Sequence, residues 1–187
     1  MPTRKTSIFI FVTIIAIMAS RCSSFRTPDV IWVPTPPEVI DKMLQMVSLK
    51  KGDLVYDLGC GDGRILVAAA EKYGVKAVGF ELDPYLVEEA RALAKERGVA
   101  HLVTIEQADI FTLDLSKATV ITLYLLPQMN EKLLPQLQKC SPGTRIVAHD
   151  FGIKGTVPDQ KVRVGGSDVY FWKAPLKMAP APSSSVK

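Results

Sequence analysis

Cysteine and histidine are scarce in this chain of 187 residues, limited to Cys22, Cys60, Cys140, His101 and His149. No two cysteines form a CxxC pair, and the five positions are scattered along the chain. That excludes a disulfide framework and a structural zinc site, each of which needs its ligands clustered. The three thiols read as small apolar fillers. A basic surplus is also missing where it would matter. Between Pro28 and Pro175 stand 17 Lys/Arg against 19 Asp/Glu, a charge of −2, so the formal +4 of the whole chain comes from its two ends. A slightly acidic domain has no electrostatic footprint for a nucleic-acid backbone, and no nucleic-acid partner is expected. No internal repeat is visible.

Long apolar runs are lacking too, with one short exception. Arg4 and Lys5 precede Ile8–Ala19, and small residues follow it. Such a run falls short of the roughly 20 residues that cross a bilayer as a helix. A charged start, a short apolar middle and small residues after it form the layout of a signal peptide. An uncleaved anchor is the other reading; it would leave the domain membrane-associated on the cytosolic side, whereas cleavage would export it. Arg21 stands before Cys22, where lipoprotein processing wants a small side chain. The organisation expected is therefore residues 1–27 as leader or anchor, 28–175 as one folded domain, and 176–187, rich in Pro and Ser, as a disordered tail.

Within the domain, strands and helices alternate. VPTPPEVIDKMLQMV carries the signature of a capping box, with Thr35 as N-cap and Glu38 three residues on, before an apolar stripe at helical spacing. Leu54–Asp57 reads as a buried strand, Arg64–Tyr73 as a helix and Lys76–Glu81 as the second strand. A helix from about Tyr85 to Arg97 closes at Gly98. HLVTIEQAD reads as a strand ending at Asp109, ATVITLYLL as a nearly all-apolar central strand, and TRIVAHDF as a fifth strand. Between the last two, Met129–Gln138 is helical. KVRV and DVYFWK flank a GGS turn and read as a hairpin. Five β–α steps closed by a hairpin imply an α/β fold with a doubly wound, mostly parallel sheet. Ligands in such sheets sit at the carboxyl ends of the strands, where Asp57, Glu81, Asp109, Tyr124 and Asp150 fall.

The stretch VYDLGCGDGRI places Gly59, Gly61 and Gly63 between the first strand and a helix, a turn suited to a nucleotide-like ligand. Asp57, just before the glycines, would repel a pyrophosphate at short range. It suits a ligand with positive charge. Glu81 closes the second strand, where an acidic side chain grips both ribose hydroxyls. Asp109 adds an acceptor for the adenine amino group, and the Ile110 backbone N–H a donor for a ring nitrogen. A nucleoside carrying cationic groups and no phosphate fits all four features, and S-adenosylmethionine is such a molecule.

DLGCGDGRI followed by GFELDPYLVEEAR resembles the class I S-adenosylmethionine-dependent methyltransferases. VPTPPEVIDKML, YDLGCGDGR, the ELDP turn, Asp114–Ser116 and PGTRIVAHDF are together similar to the protein-lysine methyltransferases that act on the ATP synthase c-ring protein and the adenine nucleotide translocase, and to their short bacterial relatives. The resemblance runs from about Val33 to Phe151. It implies a seven-stranded, Rossmann-like methyltransferase sheet with a C-terminal antiparallel hairpin. It also implies cofactor contacts at Asp57, Gly59, Gly61, Glu81 and Asp109, with Thr35 near the methionine end.

Methyl transfer from a sulfonium is an in-line displacement that needs positioning and desolvation rather than a metal. The segment after the fourth strand holds no Asn/Asp-Pro-Pro-Tyr clamp, which lowers amides and adenine as acceptors. No Asp-Asn pair follows the fifth strand, where metal-dependent catechol enzymes carry one. An aliphatic amine remains, with Tyr124 and Asp150 as candidate catalytic groups: the first to line the amine channel, the second to accept its proton. Alternation along TRIVAHDF turns His149 the other way. Trp32 and Trp172 read as packing rather than as an aromatic cage. Three functions stay open: a protein-lysine methyltransferase, with a membrane protein among its eligible substrates; a methyltransferase of a small-molecule amine; and a module that binds the cofactor without turnover.

Overall fold

The computed structural model describes residues 33–180. The apolar segment Ile8–Ala19, Cys22 and Trp32 lie outside the described residues. Among the described residues no helix is long and apolar enough to cross a membrane.

Helix α1 (Pro37–Met46) begins where Pro36 and Pro37 pre-set the backbone, and it buries Val39, Ile40, Met43 and Leu44 along one stripe. The capping box expected at its start is not formed. Pro36, not Thr35, is the N-cap, and no side chain caps the helix. Two prolines remove amides that a capping hydroxyl would serve, and the Thr35 hydroxyl is engaged elsewhere. Strand β1 (Leu54–Leu58) leads through the glycine turn into α2 (Arg64–Tyr73), which ends at left-handed Gly74. Strand β2 (Lys76–Glu81) is followed by α3 (Pro84–Glu96), whose N-cap Asp83 accepts from the Tyr85 amide at 2.8 Å.

Strand β3 (Val103–Gln107) stops two residues before Asp109, because Asp109 instead caps a 3-10 turn over Ile110–Thr112. Strand β4 (Val120–Leu123) is buried throughout, α4 (Pro127–Leu137) starts at a proline, and β5 (Arg145–His149) follows. The hairpin is β7 (Gln160–Val164) and β8 (Ser167–Lys173). Two short strands, β6 (Thr156–Val157) and β9 (Lys177–Met178), pair antiparallel in a sheet of their own. Residues 176–180, expected to open a disordered tail, instead pack on the domain: Leu176 is buried, and the Lys177 ammonium reaches Asp159 at 2.6 Å. Residues 181–187 lie outside the described residues.

The main sheet has seven strands in the order β3-β2-β1-β4-β5-β8-β7. The first five are parallel, β8 runs against them, and β7, antiparallel to β8, returns to their direction. This is the doubly wound sheet with a terminal antiparallel hairpin that the chain's pattern implies. Val55, Ala77, Val120 and Val147 pack under α1, α2 and α3 on one face. Tyr56, Leu58, Ile121, Leu123 and Ile146 pack with α4 and Trp172 on the other. Trp172 is 1% exposed and stacks on Tyr170, as packing rather than a cage. At the amino ends of the strands, Asp53 accepts from the Lys50 amide and Thr119 Oγ1 and pairs with Arg145. The strand order reverses direction between β1 and β4, and there the carboxyl ends open a crevice.

Candidate active site

A cavity of about 700 Å³ occupies that crevice, lined at its floor by Asp57, Gly59 and Glu81 and at its mouth by Val33, Leu126 and Phe151. Its volume suits a nucleoside-sized ligand with room for an acceptor group. Thr35, Tyr124, Asp109 and Ile110 line it as well. Gly61 and Gly63 do not; they shape the turn rather than touch the cavity.

Asp57 is the deepest carboxylate, at 2% exposure. Its Oδ1 accepts a 2.6 Å hydrogen bond from Thr122 Oγ1 on the neighbouring strand, while Oδ2 is buried with no hydrogen-bond partner. Burial pushes its pKa up to about 7 against the Thr122 hydrogen bond, and the nearby Glu81 and Asp62 charges add to the rise. A buried, unpartnered carboxylate oxygen is a demand for a cation or a donor.

Glu81 closes β2 with its carboxylate held by backbone. Oε2 accepts from the Gly61 amide at 3.0 Å; Oε1 accepts from the Leu82 and Asp83 amides at 2.7 and 3.0 Å. The glycine turn and the strand end thus orient one another. Gly59 sits at φ +76, and a Cβ there would come within 2.8 Å of Leu125 Cδ2, a pocket residue. Gly63, at φ +77, lets α2 approach Ala90 of α3. Asp109 Oδ1 accepts from the Phe111 amide at 3.0 Å, which fixes the loop that carries Ile110 into the cavity. Leu82, Leu86 and Phe111 supply apolar walls around this acidic end. Arg64 is bound to Asp62 at 2.7 Å and to the Thr35 carbonyl at 3.3 Å, bridging the turn to the segment before α1. Cys60 also faces the cavity, and burial pushes its thiol far up, so it is held protonated.

At the acceptor end the arrangement departs from expectation. Asp150 does not line the cavity. It adopts a left-handed φ of 57, and its Oδ1 accepts from the Asp168 amide at 3.1 Å, so the carboxylate is turned to the hairpin. His149 lies outside the cavity lining and shares a face with Val147 above α1, as the strand's alternation expects. Its ring lies against Tyr124, with centroids 3.8 Å apart. Asp150 misses the cavity because its left-handed backbone kinks the chain at the end of β5, where the Phe151 amide closes back on the His149 carbonyl at 2.7 Å. Tyr124 lines the cavity as expected; burial, with the Asp150 charge adding, raises its phenol above the usual range.

One further residue carries no motif signal. Asn130 in α4 is fully buried, and its Nδ2 donates to the Phe151 carbonyl at 2.9 Å. It ties the loop after β5 to the helix after β4, joining two sides of the mouth. An asparagine at the second position of the helix expected from Met129 is the only clue. Among the described residues no cluster of side chains could hold a metal ion.

Residues 57–160 match the model of a family described as the ANTKMT methyltransferase domain. The chain belongs to that family. It is an S-adenosylmethionine-dependent methyltransferase. A protein-lysine N-methyltransferase of Saccharolobus islandicus is 44% identical over 139 residues, covering 73% of this chain and 86% of that one. A Xenopus laevis relative, the lysine N-methyltransferase of the ATP synthase c-ring protein, is 35% identical over 129 residues, covering 68% of this chain. This methyltransferase spans only 56% of that animal relative's length. The crystal structure of an RNA methyltransferase from Salinibacter ruber, in complex with S-adenosylhomocysteine, superposes with a TM-score of 0.74 at 47% identity. The match covers 83% of this chain and all of that one.

The cavity fits the cofactor on its own terms. Asp57 Oδ2 offers a buried acceptor to positive charge, and Glu81, Asp109 and Ile110 line the same cavity beside its apolar walls. No cradle for phosphate is formed, since Asp57, Asp62, Glu81, Asp83 and Asp109 face the cavity against the single cation Arg64.

Proposed function

We propose that this methyltransferase acts on a lysine side-chain amine of a protein, with Asp57, Gly59, Glu81, Asp109 and Ile110 holding the cofactor and Thr35 lining the cavity beside it. The observation that carries the reading is the pairing of an acidic floor with an apolar mouth. Val33 and Leu126 are exposed at the rim, and Phe111, Met129 and Phe151 stand beside them. An acidic interior draws an ammonium inward, and an apolar throat then favours its neutral form, which alone has a lone pair to donate. S-adenosylmethionine supplies the electrophilic methyl group when bound. The chain's own residues do the rest: they orient the amine, exclude water at the mouth and offer acceptors for its N–H bonds. The names of the archaeal and amphibian relatives support the same acceptor, and the amphibian enzyme's substrate supports a membrane protein as partner.

A small-molecule amine would meet the same chemistry, and the name of the Salinibacter ruber enzyme favours RNA as a second reading. The acidic lining weighs against a polyanion, which would bring its phosphates towards Asp62 and Asp83. One experiment separates the three. The full-length protein is incubated with methyl-labelled cofactor and with protein, RNA and small-molecule fractions of an extract, and labelled proteins are analysed by mass spectrometry. N-methyllysine in a protein is the expected product; label confined to RNA or to small molecules sinks the lysine reading.

We also propose that residues 8–19 hold the enzyme at a membrane with its domain on the side where the cofactor is made. Carbonate extraction of membranes from cells producing the full chain checks this. Recovery in the soluble fraction would refute it.

A further inference from the structure

His149 is 1% exposed and meets polar atoms at both ring nitrogens. Nδ1 lies 3.3 Å from Thr35 Oγ1. Nε2 lies 2.9 Å from Ser167 Oγ and 3.4 Å from Asp150 Oδ2. Thr35 and Tyr124, the two side chains it touches on the inner side, line the cavity, whereas His149 itself does not.

These contacts decide where the ring's proton sits. An ionised carboxylate only accepts, so the nitrogen facing Asp150 carries the hydrogen. In a neutral imidazole the other nitrogen is then an acceptor. The hydrogen between Nδ1 and Thr35 must therefore come from the threonine hydroxyl. With that hydrogen committed to His149, the Thr35 oxygen is left with lone pairs alone for any other partner, and the partner available to it is in the cavity.

We propose that His149 is a positioning residue: as the Nε2–H tautomer held by Asp150 and Ser167, it takes the Thr35 hydroxyl proton in a hydrogen bond and makes Thr35 Oγ1 a fixed acceptor for an N–H of the incoming amine. This rests on the reading of the cavity as a site for cofactor and amine together. An amine that attacks through its lone pair carries its N–H bonds away from the line of attack. An acceptor that cannot turn into a donor selects that orientation.

A protonated ring would reverse the arrangement, because Nδ1–H would donate to Thr35 and swing the hydroxyl hydrogen towards the cavity. Burial holds the imidazole below its usual range, with the Asp150 charge opposing. The other groups around the ring are the Tyr124 phenol after β4, Ser167 and Asp168 of the hairpin, and Thr35 with Glu38 from the α1 segment. The Asp168 carboxylate is taken by Lys161 at 2.9 Å, and Glu38 sits at the hairpin's Gly165. Asp150 is therefore the charge that selects the tautomer, and it does so from outside the cavity.

The tautomer is read directly by nitrogen-resolved NMR of full-length protein labelled in histidine. The chain has two histidines, so the His149→Phe variant, which keeps a ring against Tyr124, identifies the signal. Nε2 protonated and Nδ1 an unprotonated acceptor at neutral pH is the expected result; an Nδ1–H tautomer overturns the proposal. This arm needs no turnover, so it stands apart from the identity of the methyl acceptor. The kinetic arm compares Thr35→Val, Thr35→Ser and His149→Phe, each checked for folding by thermal unfolding. Loss of one such hydrogen bond should lower turnover about five- to tenfold in Thr35→Val and His149→Phe. Thr35→Ser should recover part of that loss, with affinity for S-adenosylhomocysteine little changed in all three. Unchanged turnover in a folded His149→Phe would overturn the positioning role. A loss of S-adenosylhomocysteine affinity matching the loss of turnover would assign the N–H to the cofactor's ammonium and overturn the amine assignment.

Discussion

Thr122 Oγ1 donates to Asp57 Oδ1 at 2.6 Å across two adjacent parallel strands, in a register that places the two residues directly opposite each other. The bond satisfies one carboxylate oxygen and leaves the other, buried and unpartnered, facing the ligand cavity. The enzyme thus keeps one acidic atom in reserve for a cation.

Asp57 makes the apoenzyme's stability depend on pH. Its folded pKa of about 7 lies above the usual 3.8, so the folded state holds a proton that the unfolded chain has already released. Stability from this group is therefore present at low pH and lost as pH rises through the window from about 4 to 7. Asp57→Asn removes the dependence. Thermal unfolding of both proteins across that window checks the sign, and a wild-type Tm that rises more steeply than the variant's would contradict it.

The same group couples to the cofactor. A cationic ligand favours ionised Asp57, so binding of S-adenosylmethionine near pH 6 should expel a proton and tighten as pH rises, levelling above about 7. Calorimetry in buffers of different ionisation enthalpy measures the proton directly. Thr122→Val, which removes a hydrogen bond that lowers this pKa, should move the midpoint upward.

Glu81→Ala should weaken S-adenosylhomocysteine binding by about 2–3 kcal/mol through lost charge-assisted hydrogen bonds. It also frees the Gly61, Leu82 and Asp83 amides, so the glycine turn loosens with it. Glu81→Gln keeps an acceptor and should fall between. Titration calorimetry on variants of near-native Tm ranks them, and equal affinity in all three would remove Glu81 from the cofactor site.

The two glycines of the turn should separate in their effects. Gly59→Ala forces a Cβ at φ +76 to within 2.8 Å of Leu125 Cδ2, and so disturbs the cavity wall. Gly63→Ala meets Ala90 instead, between α2 and α3. Both bear the left-handed penalty of about 1–2 kcal/mol. Gly59→Ala should add a loss of cofactor affinity, and Gly63→Ala mainly a loss of Tm; calorimetry and thermal unfolding on the pair read the two effects apart.

Asn130→Ala cuts the tie between α4 and the Phe151 carbonyl, leaving a half-buried acceptor without its partner at about 1 kcal/mol. The mouth should loosen while the floor stays intact. An increased KM for the methyl acceptor with unchanged S-adenosylhomocysteine affinity is the expected pair of results.

Much of the fold is legible in the chain because its signals are local. Helix α2 begins and ends between glycines, and β2 is an apolar run closed by a charge; both fall at the residues read from the sequence. Asp57, Glu81 and Asp109 are legible in the same way, since a strand end followed by a turn already says which residues reach the ligand side. The strand order follows from β–α alternation, which permits few other sheets.

What the tertiary structure alone decided is the acceptor end. The Thr35 hydroxyl reads as a helix cap from its neighbours, but its partner is His149, 114 positions away. No local pattern records a bond across that separation. Asp150 misses the cavity because its left-handed backbone turns the carboxylate to the hairpin, whereas His149 stays on the side that the two-residue period gives it. Lys177–Met178 is a strand only because Thr156–Val157 is there to pair with it. The chain's local chemistry determined the cofactor floor, whereas contacts between distant segments, invisible to any short window, determined which side chains meet the acceptor.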